Sequence, residues 1–263
     1  MRRASAAGLD VIALTDHDTV AGHDEARRAL PPGLTLLPGM ELSCRLDGHS
    51  VHMLCYLFDP ADPVLAAECA RIIDSREHRA RAMVDRLREL GAPVTWDRVV
   101  AIAGNGVVGR PHIARAMAEA GVVGSPQEAF SSEWIAAGGR AHVTRYAPDP
   151  ARAVAMVRAA GGVTVLAHPR AARGRAVPDA DIASLAAAGM SGIEVRHPEQ
   201  DQAQRAGLAA LAGSLGLVAS GGSDDHGELT GYRIGSEAVG SAEYERLVSQ
   251  ASGAIPATGA GRS

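Results

Sequence analysis

The sequence has 263 residues, of which 46% are hydrophobic, enough for one large α/β domain with a sizeable core and room for an insertion. Its 26 basic against 30 acidic residues leave a net charge of −4, and only 3% of the chain is aromatic. Neither a global positive field nor a row of stacking platforms is available, which excludes generic coating of nucleic acid and argues against duplex DNA as a partner. Cys44, Cys55 and Cys69 are odd in number and form no Cys-x-x-Cys pair, so they read as buried thiols rather than a disulfide framework or zinc ribbon. No stretch approaches 18 uninterrupted apolar residues, and the expected setting is soluble and cytoplasmic, away from membrane.

In chain order, strands are predicted at 9 to 15, 34 to 40, 51 to 58, 162 to 167, 192 to 196 and 217 to 221. Helices are predicted at 21 to 30, 149 to 160, 179 to 189 and 201 to 215, several closed by glycine (Gly161, Gly189, Gly216). This βα alternation is the rhythm of a barrel. Between 63 and 140 the pattern becomes successive helices, including an Arg-rich amphipathic stretch whose apolar side carries Ile72, Ile73, Met83, Val84, Leu87 and Leu90. The expected organisation is a discontinuous core, 1–62 and 141–251, a helical insertion at 63–140, and a flexible tail at 252–263 rich in small residues.

The chemistry gathers where apolar runs stop. LDVIALTDHD ends in Asp16, His17 and Asp18; LTLLPGM precedes Glu41; GVTVLA precedes His168; LVASGGS precedes Asp224, Asp225 and His226. In a parallel sheet or barrel the carboxyl ends of strands share one face, so residues distant in sequence converge there. His52, in SVHMLCYLF, is placed to lean toward the same ends. Imidazole and carboxylate ligands suit Mn, Fe or Zn, and a carboxylate able to bridge two ions among imidazoles is what a multinuclear hydrolytic centre requires. Arg110, His112 and Arg145 are of the types that hold phosphate, although Arg110 and His112 equally fit an ordinary helix start. His197 follows the strand GIEVR and is expected on the active face, with a capping or supporting role an open alternative. His23, His49, His78 and His142 are expected to be surface or structural histidines. The hydroxyls of Ser43 and Ser223 have no local base and are not expected to act as nucleophiles. Gly221 and Gly222 read as a close-approach turn, since they lack the spacing of a phosphate loop.

TDHDT at 15 to 19, PGMELS at 38 to 43, VHMLCY at 51 to 56, GRPHIARAM at 109 to 117, LAHP at 166 to 169 and SDDH at 223 to 226 together resemble the polymerase and histidinol phosphatase (PHP) family, in its stand-alone phosphoesterase branch. The resemblance implies a distorted (β/α)7 TIM-like barrel with a small helical insertion. It further implies two to three divalent ions, manganese first, with Fe or Zn as alternatives, and the ligands His17, Glu41, His52, His168, Asp224 and His226. Within it, Glu41 bridges two ions and positions a metal-bound hydroxide, while Arg110, His112, Arg145 and His197 contact the substrate phosphate. The implied reaction is hydrolysis of a phosphomonoester in a small phosphorylated nucleotide: a nucleoside 3′,5′-bisphosphate, a 5′-mononucleotide, or the 5′ end of a short RNA. Histidinol phosphate or another small ester is the alternative substrate.

One departure stands out. Family members begin with a strand ending in His-x-His and a following Asp, and no such segment precedes Leu9. The first barrel strand is therefore expected to be missing, either because the true start lies upstream or because the chain is a short form with an impaired centre. The latter would be a non-catalytic domain that binds metal or nucleotide.

Overall fold

A computed structural model describes residues 1–104, 106, 108–171, 175–227 and 230–260. Its central element is a mixed seven-stranded sheet that curls into a half-barrel. Strand β1 (Val11–Leu14) runs parallel to the first part of β2 (Thr35–Leu46), pairing Ala13 with Leu37. The rest of β2 turns back into β3 (His49–Tyr56) as an antiparallel hairpin, with Glu41 opposite Leu54 and Ser43 opposite His52. Antiparallel pairing of β3 leads to β4 (Val163–Leu166), and parallel pairing carries the sheet through β5 (Gly192–Arg196) to β6 (Val218–Gly221).

Because side chains alternate across a strand, these registers decide which residues share a face. Val11 and Ala13, Leu37, Leu54 and Tyr56, and Val163, Val165 and Ala167 pack as one apolar cluster, joined by Val218 and by Leu247 of the helix Ser241–Val248. Glu41 and Ser43 continue that face of β2, and His52 continues it on β3. Glu194 shares it on β5, two residues from Gly192, which pairs with Val165. One face of the sheet is thus oily over most of its length and polar at one end. Met40, Leu42 and Cys44 occupy the opposite face of β2 and are also buried.

The helices end where local chemistry ends them. The helix Pro150–Ala159 starts at Asp149, whose carboxylate accepts the Ala151 N–H at 2.8 Å, and stops before Gly161 at φ 76°. The helix Gln202–Ser214 opens with a reciprocal cap between Asp201 and Gln204, both bonds 2.8 Å.

Two expectations are corrected here. The alternation of strand and helix is broken by the hairpin of β2 and β3, so Glu41 lies inside a 12-residue strand rather than at the end of one. The tail, expected to be flexible from 252, is ordered as far as 260: Ala257–Thr258 forms β7 on the start of β2, and Ala254 N–H donates to Leu57 O at 2.7 Å. Small residues allow this docking, since a Cβ on Gly253 would lie 2.6 Å from Leu57 O. Residues 261–263 lie outside the described residues.

The chain divides into two compact units, Met1–Ala67 with Ala147–Ser263, and Glu68–Tyr146. The first holds the sheet. The second is helical, built from most of the helix Pro63–Glu89 and from the helices Trp96–Ala103 and Arg110–Glu119, around Met83, Leu87, Val99, Ile113, Met117 and Ile135. Of the three thiols, Cys44 and Cys55 are buried as expected, whereas Cys69 is half-buried. No helix among the described residues is long and apolar enough to cross a membrane.

Candidate metal centre

Glu41 sits at the middle of the polar end of the sheet, 5% exposed. Its Oε1 lies 2.7 Å from His52 Nδ1 and 3.2 Å from His168 Nε2, and its Oε2 lies 3.3 Å from His17 Nδ1. Burial pushes the carboxyl upward, but the charges of His52 and His17 and hydrogen bonds from His168 and His52 outweigh it, holding Glu41 well below the usual carboxylate range. His168 responds in the opposite sense: burial opposes its protonation, yet Glu41, Glu194 and Asp224 raise it to about 9.

Each of these side chains is positioned by its backbone. The register of β1 on β2 lapses after Leu14 and resumes at a bridge between His17 and Glu41, where Glu41 N–H donates to Asp16 O and Asp18 N–H to Glu41 O. Asp18 is fully buried, and its carboxylate accepts the Ser43 N–H at 2.6 Å and the Ser43 hydroxyl at 2.9 Å. Ser43 is therefore a structural donor, as its own full burial also requires. His168 follows β4 one residue out of step with the site face, and a left-handed φ of 31° brings it back to Glu41. Asp18 (φ 59°) and Asp224 (φ 46°) share this strained region, a concentration typical of functional sites.

The imidazoles form a circuit. Ring centroids lie 5.9 Å apart for His226 and His17, 5.0 Å for His17 and His52, 5.3 Å for His52 and His168, and 5.4 Å for His168 and His197. Asp224 joins the two ends, with Oδ2 3.4 Å from His197 Nε2 and Oδ1 3.3 Å from His226 Nδ1. Seven residues singled out from the sequence (His17, Glu41, His52, His168, His197, Asp224 and His226) thus meet in one place. The potential ligand atoms of His17, Glu41 and His52 lie within 4.8 Å of one another. Three imidazole nitrogens converging on one ionised, buried carboxylate is a donor set that fits a divalent transition ion.

Other residues in this region were not singled out from the sequence. Glu194, 3% exposed, accepts the His168 N–H at 2.7 Å; burial raises its carboxyl to about 8, with Glu41 and Asp224 adding to the rise and His168 opposing it. A Cβ on Gly222 would stand 2.8 Å from Glu194 Oε1, so the expected close approach is to this side chain. Arg233 donates to Asp224 O at 2.9 Å and to its Oδ2 at 3.1 Å. Arg205 binds His197 O at 2.6 Å and is paired with Glu237. The one available signal was a charged residue inside a buried run, as Glu194 is within GIEVR; the arginines lie in ordinary polar segments.

His197 was expected either to contact substrate phosphate or to cap or support the site. It is 1% exposed; Nδ1 accepts the Glu199 N–H at 3.1 Å, which leaves the Nε2 proton directed at Asp224. Arg110, His112 and Arg145 belong to the second unit. His112 Nδ1 accepts the Gly109 N–H at 3.1 Å and caps its helix, and burial, then the charge of Arg115, lowers its pKa. The neutral ring therefore keeps an Nε2 donor. Arg145 Nη1 lies 3.4 Å from Tyr146 O. His23 is buried with Nε2 2.7 Å from Gly39 O, a structural role, and His78 is exposed.

Relatives place this centre in context. The chain is 35% identical over 229 residues to the 5′-3′ exoribonuclease of Haemophilus influenzae, covering 86% of itself and 82% of that protein. It is 34% identical over 234 residues to the 3′,5′-nucleoside bisphosphate phosphatase of Chromobacterium violaceum, covering 88% and 82%. Among solved structures, a protein from Bifidobacterium adolescentis assigned as a metal-dependent phosphoesterase superposes with a TM-score of 0.85 at 33% identity, over 95% of this chain and 89% of that one. A structure from Chromobacterium violaceum described as an amidohydrolase, with bound sulfate and no metal, gives 0.81 at 31% identity over 95% and 89%. No family model matches the sequence. With the His and carboxylate centre on a sheet of this topology, these relationships show that the chain belongs to a PHP-like family of metal-dependent phosphoesterases, hydrolases of phosphate esters.

Proposed function

We propose that this protein hydrolyses a phosphomonoester of a small nucleotide, a nucleoside 3′,5′-bisphosphate or a 5′-mononucleotide, and that 5′ ends of short RNA are its next substrates. The observation that carries this reading is the ionised Glu41 carboxylate held among His17, His52 and His168 inside the Asp224 circuit. Kinship to a bisphosphate phosphatase and to exoribonucleases supports the nucleotide class, and the small net charge favours short substrates over long duplex. In this reading Glu41, His52 and His168 hold one ion, His17 and His226 contribute to another, Asp224 to a third, and manganese is the first choice.

Divalent ions bound there would supply Lewis acidity toward a phosphoryl oxygen and a water activated near neutral pH. The chain's own contribution is placement. Asp18 and Ser43 fix the loop of His17, Glu194 fixes the backbone of His168, and Arg233 with His197 fixes Asp224. Ser43 is fully buried with its hydroxyl on Asp18, out of reach of a substrate phosphorus, so it is not read as a covalent nucleophile. In the second unit, which we take to be an insertion in the (β/α)7 barrel of the family, Arg110, His112 through Nε2–H, and Arg145 are the groups whose chemistry suits a phosphate.

The test is phosphate release with Mn²⁺ across adenosine 3′,5′-bisphosphate, AMP, a 5′-phosphorylated dinucleotide, histidinol phosphate and a long duplex. The reading expects turnover of the first three and none of the duplex. Turnover of histidinol phosphate alone, or of none, would overturn it.

A further inference from the structure

We propose that Arg3, seated on the ring of Tyr232 at the rim of the candidate metal centre, takes a second phosphate group of the substrate, so that a doubly phosphorylated nucleotide binds better than a singly phosphorylated one. The inference rests on the phosphatase reading above and deepens it by naming a residue that sets substrate choice.

Tyr232 belongs to the stretch that carries Asp224 and His226. Its N–H donates to Gly227 O at 3.0 Å, and its ring packs on Gly227, where an added Cβ would stand 3.4 Å from Tyr232 Cε1. The next two residues are tied back in the same way. Arg233 donates to Asp224 O at 2.9 Å and to its Oδ2 at 3.1 Å, and the Ile234 N–H donates to Asp225 Oδ2 at 2.7 Å. Three successive residues are thus fixed against Asp224, Asp225 and Gly227, the last of which adjoins His226. The Tyr232 backbone sits at φ 54°, a left-handed conformation that a bulky side chain rarely adopts and that persists only where the surroundings impose it. Yet the residue so placed is 48% exposed.

Arg3, in the helix Arg2–Ala6, lies over this ring with its guanidinium carbon 3.8 Å from the centroid. The end of the same helix meets the same stretch, since a Cβ on Gly235 would stand 3.0 Å from Ala7 Cβ. Both partners belong to the unit that holds the sheet. Arg233 is spent on Asp224, whereas the Arg3 side chain makes no ion pair or hydrogen bond among the described residues. A guanidinium resting on an aromatic face keeps its planar fork of donors for an anion, and because the ring already holds it, less freedom is lost when the anion binds. A phosphate ester engaged at Glu41 and Asp224 occupies that centre with one phosphate. A nucleoside 3′,5′-bisphosphate brings another, and Arg3 is an uncommitted cation on the stretch that leads out of the centre.

Titration calorimetry tests this with the full chain, Mn²⁺ and non-hydrolysable phosphonate analogues of adenosine 3′,5′-bisphosphate and of AMP. Charge-assisted hydrogen bonds to the added phosphate should make the wild type prefer the bisphosphate analogue about 10-fold or more. Arg3→Gln should bring that preference to within about twofold of unity, with Arg3→Lys in between and the Mn²⁺ affinity unchanged. Tyr232→Phe should keep the preference, and Tyr232→Leu should reduce it about threefold by removing the cation–π platform. If Arg3 only staples the first helix to the stretch 232–235, Arg3→Gln weakens both analogues alike and lowers Tm. That result overturns the proposal, as does a wild type without preference or a preference that survives in Arg3→Gln. Phosphate release from AMP and from adenosine 3′,5′-bisphosphate is measured in parallel. An Arg3-dependent preference without release from either would sink the hydrolytic reading and leave this phosphate site standing; release with a preference independent of Arg3 would do the reverse.

Discussion

Asp18→Ala should be among the most damaging single changes in the sheet unit although Asp18 lies outside the set proposed to hold metal. Its carboxylate accepts two buried hydrogen bonds from Ser43, at 2.6 Å and 2.9 Å. Hydrogen bonds to a charged acceptor contribute about 1.5–3 kcal/mol each, and burial leaves little water to replace them. The residue also sits at φ 59°, where Asp and Asn are tolerated and Ala costs about 1 kcal/mol more. Together these give about 4–7 kcal/mol for Asp18→Ala. Asp18→Asn keeps an acceptor for the Ser43 N–H and the backbone tolerance, and should cost about 1–2 kcal/mol. Ser43→Ala removes only the hydroxyl bond and should cost about 1.5–3 kcal/mol. Urea denaturation of the three variants in excess chelator reads these values without interference from metal. Because Asp18 ties the His17 loop to β2, Asp18→Asn should also weaken Mn²⁺ binding by about 10-fold, the scale of supporting residues around metal ligands. A loss below about 1 kcal/mol in Asp18→Ala, or equal losses in Asp18→Asn and Asp18→Ala, would refute this account of the loop.

Three further outcomes are expected. Mn²⁺ at about a thousand times its Kd should stabilise the protein by about 4 kcal/mol and raise Tm by about 10 °C, and Glu41→Gln should abolish most of that shift; an undiminished shift in the variant would remove Glu41 from the centre. Arg233→Gln should lower kcat/KM about 10-fold with Arg233→Lys intermediate, since the guanidinium holds both the carbonyl and the carboxylate of Asp224; unchanged kinetics and metal affinity in both would show that Asp224 needs no such clamp. His112 should titrate below its ordinary value of 6.5 by proton NMR, because burial and Arg115 disfavour its charged form. As a base with a depressed folded pKa, its contribution to stability is complete above 6.5 and is lost as pH falls through the folded value. A midpoint above 6.5 would contradict that sign.

What could be read in the sequence followed from how local each cause is. The capped helix starts at Asp149 and Asp201 and the glycine stop at Gly161 depend on neighbours within a few residues, and they lie where sequence reasoning put them. The side chains that gather around Glu41 and Asp224 were legible for another reason: His and carboxylate at the ends of apolar runs are costly to bury and so mark convergence. The place of Glu41 within a long strand was not legible, because the turn into β3 depends on pairing over residues 39 to 56 rather than on a stop signal after Met40. The docking of the tail was hidden for the converse reason. Small residues suit a loose end and a tight approach equally, and it is the distant receiving backbone of Leu34, Leu57, Gly161 and the start of β2 that decides between them. Arg233 and Glu194 act through partners 9 and 26 residues away, a spacing that no local pattern encodes.

The circuit of imidazoles has a consequence for how the molecule assembles. One of its contacts brings His17 against His226, more than 200 residues apart along the chain, and another brings His52 against His168, 116 residues apart. Local contacts between helices give up little chain entropy, whereas joins of this span must wait until the intervening segments have organised. The centre is therefore among the last features to exist during folding and among the first lost when either end of the sheet loosens. A divalent ion bound there would act as a rivet across the sheet unit, and metal uptake would then report whether the chain has finished folding.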